Sequence, residues 1–219
     1  MLKEIVFEKL NSKYEITEEN IGDCSDLSNK GMNFHTQSYE IKNLGHLCVM
    51  TMNAFFGIMK METVVLTVNT RDVPLLNLDR IKVLGNETLL CELYDTQLSP
   101  YSSKALDRLK KVSERDFSIQ DYVSSANGFS DTLIYPCSYR KKGKKATDRF
   151  TRAASDFFEI FVDELDSLSE CDSNLKKQKN AEFANALYSK GGSAVNQVKK
   201  LFGDDIAKKL VVNYMYGIK

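Results

Sequence analysis

Five carboxylates fall within one β-rich stretch of the chain, at Glu62, Asp72, Asp79, Glu92 and Asp95. The stretch reads Glu-Thr-Val-Val-Leu-Thr-Val-Asn-Thr, then Arg-Asp-Val-Pro-Leu-Leu-Asn-Leu-Asp, then Arg-Ile-Lys-Val-Leu-Gly-Asn-Glu-Thr-Leu-Leu-Cys-Glu-Leu-Tyr-Asp. A carboxylate inside an apolar strand needs a partner, water or a chemical task, because an uncompensated buried charge is costly. The stretch is therefore a candidate wall for a polar-bottomed pocket. The competing reading is a row of alternating carboxylates that faces solvent. The two histidines, His35 and His46, carry the side chains whose ordinary pKa lies nearest neutrality. Each could titrate in a site or serve the structure.

The bulk properties bound the possibilities. A chain of 219 residues can bury a substantial core, and no repeat, long linker or low-complexity segment divides residues 1–219, so one domain is expected. Thirty basic and thirty acidic residues cancel, which leaves no global field for nucleic acid or an acidic membrane. No apolar run approaches the roughly 20 residues that span a bilayer. The N-terminus lacks the apolar segment of a secretion signal, so a cytoplasmic location is expected. The five cysteines are scattered, with no Cys-x-x-Cys and no histidine at metal-site spacing. Reduced thiols follow, and no metal site is expected. Nucleophile-elbow, dinucleotide-glycine, phosphate-loop and metalloprotease motifs are all missing from the sequence.

The elements that would position the carboxylates are legible in outline. His46 to Asn53, Ile58 to Asn69, Leu78 to Leu84 and Thr88 to Tyr94 read as strands joined by short turns, hence a mainly antiparallel sheet. Thr132 to Tyr139 reads as a further strand, and Asn127-Gly128 as a turn. The basic run Arg140, Lys141, Lys142, Lys144 and Lys145 reads as a solvated loop or a docking patch for acidic groups. Ser102 or Ser103 caps a helix to about Arg115. Thr147 then caps a long helix whose Phe150, Ala154, Phe157, Phe161, Leu165 and Leu168 form one apolar stripe. Glu159, Asp163, Asp166 and Glu170 lie on its polar side. Helices over Leu175 to Tyr188, Ser193 to Phe202 and Asp204 to Tyr214 complete the chain, while residues 1–45 stay unassigned.

Arg71-Asp-Val-Pro-Leu-Leu-Asn-Leu-Asp79 resembles a motif of the ferredoxin-dependent bilin reductases, in which an Asp-Leu-Pro segment precedes a second Asp. Thr63-Val-Val-Leu-Thr resembles the family's preceding strand, and Leu93-Tyr-Asp95 with Leu98-Ser-Pro100 resembles its Ala-Asp-Leu-Ser-Pro segment. Phe129-Ser-Asp through Tyr139-Arg-Lys, and the ending from Val198 to Tyr216, continue the resemblance in order. The red chlorophyll catabolite reductases are a related possibility.

The resemblance implies an α/β/α sandwich with a central, mainly antiparallel sheet. It implies an enzyme that reduces a linear tetrapyrrole such as biliverdin by single-electron steps. Electrons would come from reduced ferredoxin or flavodoxin, with no bound metal or flavin. It makes Asp79 the main proton donor. Many members carry a histidine seventeen residues before that Asp, where this chain has Glu62, so Glu62 becomes the expected partner of Asp79. The position of the family's glycine is Asn77, expected at the substrate. Arg140, Lys141 and Lys142 are candidates for bilin propionates or an acidic electron donor. Two other classes remain open: a tetrapyrrole carrier or sensor without turnover, and a protein-interaction module on the same fold.

Overall fold

The computed structural model describes residues 1–123, 129–191 and 193–219. Helix α1 (Leu2–Leu10) precedes β1 (Ile16–Glu19), β2 (Asp26–Asn29), β3 (Met32–Ile41) and β4 (Gly45–Ala54). Strands β5 (Met59–Val68), β6 (Leu75–Val83) and β7 (Asn86–Tyr94) follow, then α2 (Ser103–Arg115), β8 (Gln120–Asp121) and β9 (Tyr139–Lys144). Helices α3 (Thr147–Ser167), α4 (Ser173–Lys190), α5 (Ser193–Phe202) and α6 (Asp204–Lys208) lead to a π-helical turn, Lys209–Met215. The strands form one nine-stranded sheet in the order β1-β3-β4-β5-β6-β7-β9-β8, with β2 also on β3. Every ladder is antiparallel.

Both sheet faces are covered, which is why β5 reads as the unbroken apolar run Val64-Val-Leu rather than as an alternation. Val64, Leu66, Leu76, Leu78 and Leu89 pack with α1, α2 and the aromatic stripe of α3 (Phe150, Phe157, Phe158, Phe161). On the other face Cys48, Met50, Val65, Leu75 and Tyr94 pack with α4, α5 and the C-terminal turn. The result is the expected α/β/α sandwich.

Helix ends follow local chemistry. The Ser102 hydroxyl accepts the Ala105 N–H at 3.2 Å, and Asp172 accepts the N–H groups of Asn174 and Leu175. Gly191 closes α4 at φ 77°, a left-handed conformation that suits glycine. The acidic side of α3 is not merely wet. Glu159, Asp163 and Asp166 pair with Lys9, Arg108 and Lys13, tying α1 and α2 to α3.

Several expectations need correction. The N-cap of α3 is Ala146, and Thr147 is already helical, its hydroxyl given to Glu87. The segment after residue 132 makes only an isolated bridge, Tyr94 to Ile134. The basic run from Arg140 to Lys144 is instead part of strand β9, and alternation sends its side chains to two faces. Residues 1–45 supply α1 and three strands. The turn expected at Asn127-Gly128 lies outside the described residues.

Phe157 is fully buried at the centre of the α3–sheet contact. Phe157→Ala is expected to lower unfolding free energy by about 3–5 kcal/mol, read by urea denaturation. A loss under about 1 kcal/mol would show that this helix does not seal the sheet.

Candidate active site

Alternation and register decide which side chains meet. Thr63 lies directly opposite Asp79 across β5 and β6. On the face covered by α4 and the C-terminal turn, one cross-strand row runs Thr36, Met50, Thr63, Asp79, Leu90, Arg140. The next row runs Ser38, Cys48, Val65, Asn77, Glu92. Asp79 and Glu92 are therefore diagonal neighbours on one face, a spacing of about 7–8 Å.

Each carboxyl is held from both sides. The Thr63 hydroxyl donates to one oxygen of Asp79, and the Asn77 amide donates to the other at 2.7 Å. Burial nevertheless dominates and raises the Asp79 pKa above the ordinary carboxylate value. Glu92 is buried, accepts the Tyr94 hydroxyl at 2.7 Å and lies 3.1 Å from Arg140 Nε. Arg140 also reaches Asp131 at 3.4 Å. Burial pushes Glu92 up to about 7, with Asp79 raising it further and Tyr94 and Arg140 opposing. Aromatic rings close the upper side: Phe183 packs on Tyr94 at 5.0 Å and on Tyr216 at 5.6 Å. Burial and the nearby Asp79 and Glu92 also raise the Tyr216 phenol. Along this face the cover thins towards Met59 and Val83, where Met61, Asp79 and Ile81 are partly exposed. The chemistry available is a two-carboxyl proton store at the edge of an aromatic-lined floor.

The expected site residues divide. Asn77 and Arg140 belong to the site, and Lys142 shares the face of Arg140 and is exposed. Glu62 does not belong to it. It sits opposite Arg80, so its side chain points to the α1 side, where it accepts the Lys3 backbone N–H at 2.9 Å. Glu62 and Asp79 cannot share a proton, because a side chain one position along a strand changes face. Lys141 also turns to the opposite face, buried, with Nζ 2.7 Å from Asp121. His46 is buried on the Asp79 face but several positions away. It lies 2.7 Å from the Tyr214 carbonyl, and burial lowers its pKa. His35 is exposed beside Asp26 at 2.8 Å.

Sequence reasoning placed Glu92 in the carboxylate stretch but gave it no role, and it missed Tyr94, Thr63 and Tyr216. Period-two alternation from Asn77 to Asp79 was available as a signal. Glu92 needed the β6–β7 register, and Tyr216 needed the tertiary fold. Two surface cavities, of about 340 and 190 Å³, lie elsewhere, beside Glu18, Ile21 and Thr36 and beside Asp95 and Tyr135. The first is the gap where β1 and β2 part along β3. Neither contains the carboxyl pair, so the chemistry rather than the volume marks the site.

Glu92 has a testable pH signature. Its folded pKa of about 7 exceeds the ordinary 4.5, so the folded state binds this proton more tightly. The stability it contributes is complete below pH 4.5 and lost as pH rises through 7. Glu92→Gln should flatten urea-unfolding stability between pH 5 and 8 and raise it at pH 8 by up to about 3 kcal/mol. An unchanged pH profile in the variant would place the titration elsewhere.

No protein-family model and no curated protein sequence matches the chain. Solved structures do. A crystal structure of selenomethionine-labelled phytochromobilin synthase from tomato, in complex with biliverdin, superposes with a TM-score of 0.78. The two share 12% identity, and the match covers 99% of this chain and 82% of the other. The superposition over nearly the whole chain therefore assigns it the fold of phytochromobilin synthase.

Proposed function

We propose that the protein reduces a linear tetrapyrrole bound against the sheet face that carries Asp79 and Glu92. The observation that carries this reading is the pair itself: two carboxyls with raised pKa values, neighbours on one face, at the edge of an aromatic floor. The shared fold supports it, since tomato phytochromobilin synthase was crystallised with biliverdin.

Reduction of one double bond takes two electrons and two protons. In this reading reduced ferredoxin or flavodoxin supplies the electrons singly, and the bilin itself carries the unpaired electron. Asp79, oriented by Thr63 and Asn77, gives a proton to the bilin. Glu92, held by Tyr94 and Arg140, supplies the second or reprotonates Asp79. The bilin would lie over Met61 and Ile81, where the face is partly exposed, with Lys142 in reach of a propionate.

A carrier or sensor is the second reading, and Thr63 is the observation that favours it. The group facing Asp79 is a hydroxyl that does not titrate near neutral pH, so the site has one fewer proton donor than a paired acid would give.

An anaerobic visible-absorption titration with biliverdin, before and after reduced ferredoxin, separates the two. Bleaching or a new product band supports reduction, and binding without change selects the carrier. Asp79→Asn should keep biliverdin affinity and lower turnover by about 10²-fold or more. Glu62→Gln and Lys141→Ala should leave turnover near wild type. Full turnover by Asp79→Asn would remove the proton-donor role.

A further inference from the structure

One end of the sheet gathers features that the carboxyl site does not use. Met32, Ala54, Met59, Val83, Asn86 and Lys144 align in one cross-strand row that ends the ladders. Beyond it project the β2–β3, β4–β5 and β6–β7 turns and the β9–α3 junction. The approach to β8 reaches the same end, since Ile119 lies against Gly143.

The tips are apolar. Phe55, Phe56, Ile58, Leu84 and Phe117 are exposed, and Phe56 is at 108% of its reference area. These are five of the nine large exposed hydrophobics among the described residues, so the apolar surface is concentrated here rather than scattered. Their backbone is also unusual. Phe55, Phe56 and Leu84 hold φ values of 52°, 57° and 49°. Turns commonly place Gly, Asn or Asp in that region, and bulky side chains there are strained. Strain retained in order to present aromatic groups to water calls for an occupant.

Charge indicates which occupant. Lys30, Lys60, Lys144 and Lys145 are exposed around these tips, without a carboxylate partner among the described residues. Lys60 stands directly opposite Lys82, whose charge is met by Glu87 at 3.6 Å, which leaves Lys60 as the uncompensated member of the pair. Of the nearby acids, Glu87 is buried and taken up by Arg80 and Lys82, Glu62 accepts the Lys3 N–H, Asp121 lies 2.7 Å from Lys141 Nζ, and Asp148 stands at the start of α3.

We propose that this end docks on an anionic lipid bilayer, with the turn tips entering the interface and the lysines at headgroup level. Protruding side chains on separate turns suit a fluid surface, whereas a folded partner would need a matching pocket for each. The contact is peripheral, since no helix among the described residues is long and apolar enough to cross a membrane. A net charge of zero gives no hint of it, because the balancing acids lie elsewhere on the molecule. The proposal is independent of the tetrapyrrole reading.

The test is co-sedimentation at low ionic strength with phosphatidylcholine vesicles, with and without about 30% phosphatidylserine, a content that mimics an anionic leaflet. Binding is expected only with the anionic lipid and should weaken as salt is raised. The double substitution Phe55→Gly/Phe56→Gly should reduce binding about tenfold or more. It should not lower the melting temperature, since glycine relaxes the left-handed turn. Lys60→Ala and Lys144→Ala should each reduce binding about fivefold. No association with the anionic vesicles, or binding indifferent to the Phe55/Phe56 change, would overturn the proposal. So would capture of an acidic protein through these residues by a chain that ignores vesicles.

Discussion

Burial of both faces of one antiparallel sheet is the constraint on which the rest of the molecule depends. Once α3 covers one face and α4 with the C-terminal turn covers the other, every central strand residue is committed to one of two interiors. A slip of one residue in β5 would move Val64 and Leu66 to the α4 side and Val65 to the α3 side, into interiors packed for other side chains. The apolar residues therefore fix the register, and the register fixes the chemistry. Asp79 meets Thr63 rather than Glu62 because of where valines and leucines must go.

The two interiors are not equivalent. The α3 side holds its charges in closed pairs, such as Arg80 with Glu87 at 3.0 Å, with the same guanidinium also donating to the Thr147 carbonyl at 3.1 Å. Such a pair is satisfied and has nothing left to offer a ligand. On the α4 side the polar groups are less completely compensated. Asp79 has only neutral donors, and the hydroxyls of Thr36 and Thr67 have no partner among the described residues. Carboxyls in such surroundings keep their protons to higher pH, which is the property a proton donor needs.

The two ends of the sheet also differ. At the end near Asp72 the loops are tied down, with Asp72 accepting the N–H groups of Leu98 and Ser99. Lys176 is buried there and donates to the Thr96 carbonyl at 2.7 Å. At the opposite end the turns project apolar tips and lysines without a carboxylate partner among the described residues. Asp79 stands four residues from Val83 along β6, about 13 Å at strand rise, so the open edge of the site faces this second end.

The sequence by itself determined an antiparallel sheet with helices appended, and its family resemblance implied the sandwich. Three- and four-residue spacing from Phe150 to Leu165, four apolar runs with short turns, and caps at Ser102 and Gly191 each follow from local chemistry. Asp79 was singled out by the resemblance of Arg71 to Asp79 to a family motif, since the residues alone left open a carboxylate that faces solvent. Its partner was not legible. The position of the family's histidine pointed to Glu62, yet facing depends on the sum of two positions in a ladder, and only the formed sheet sets that sum. The same parity divided Arg140 from Lys141 within one basic run. Glu92 is brought beside Asp79 by pairing with Asn77 across β6 and β7, and Tyr216 by a C-terminal segment that returns over the sheet after more than a hundred residues. Apolar patterning is a local property that sequence carries. Which polar groups share one interior is a long-range property, decided only when the strands pair and the last helices close over them.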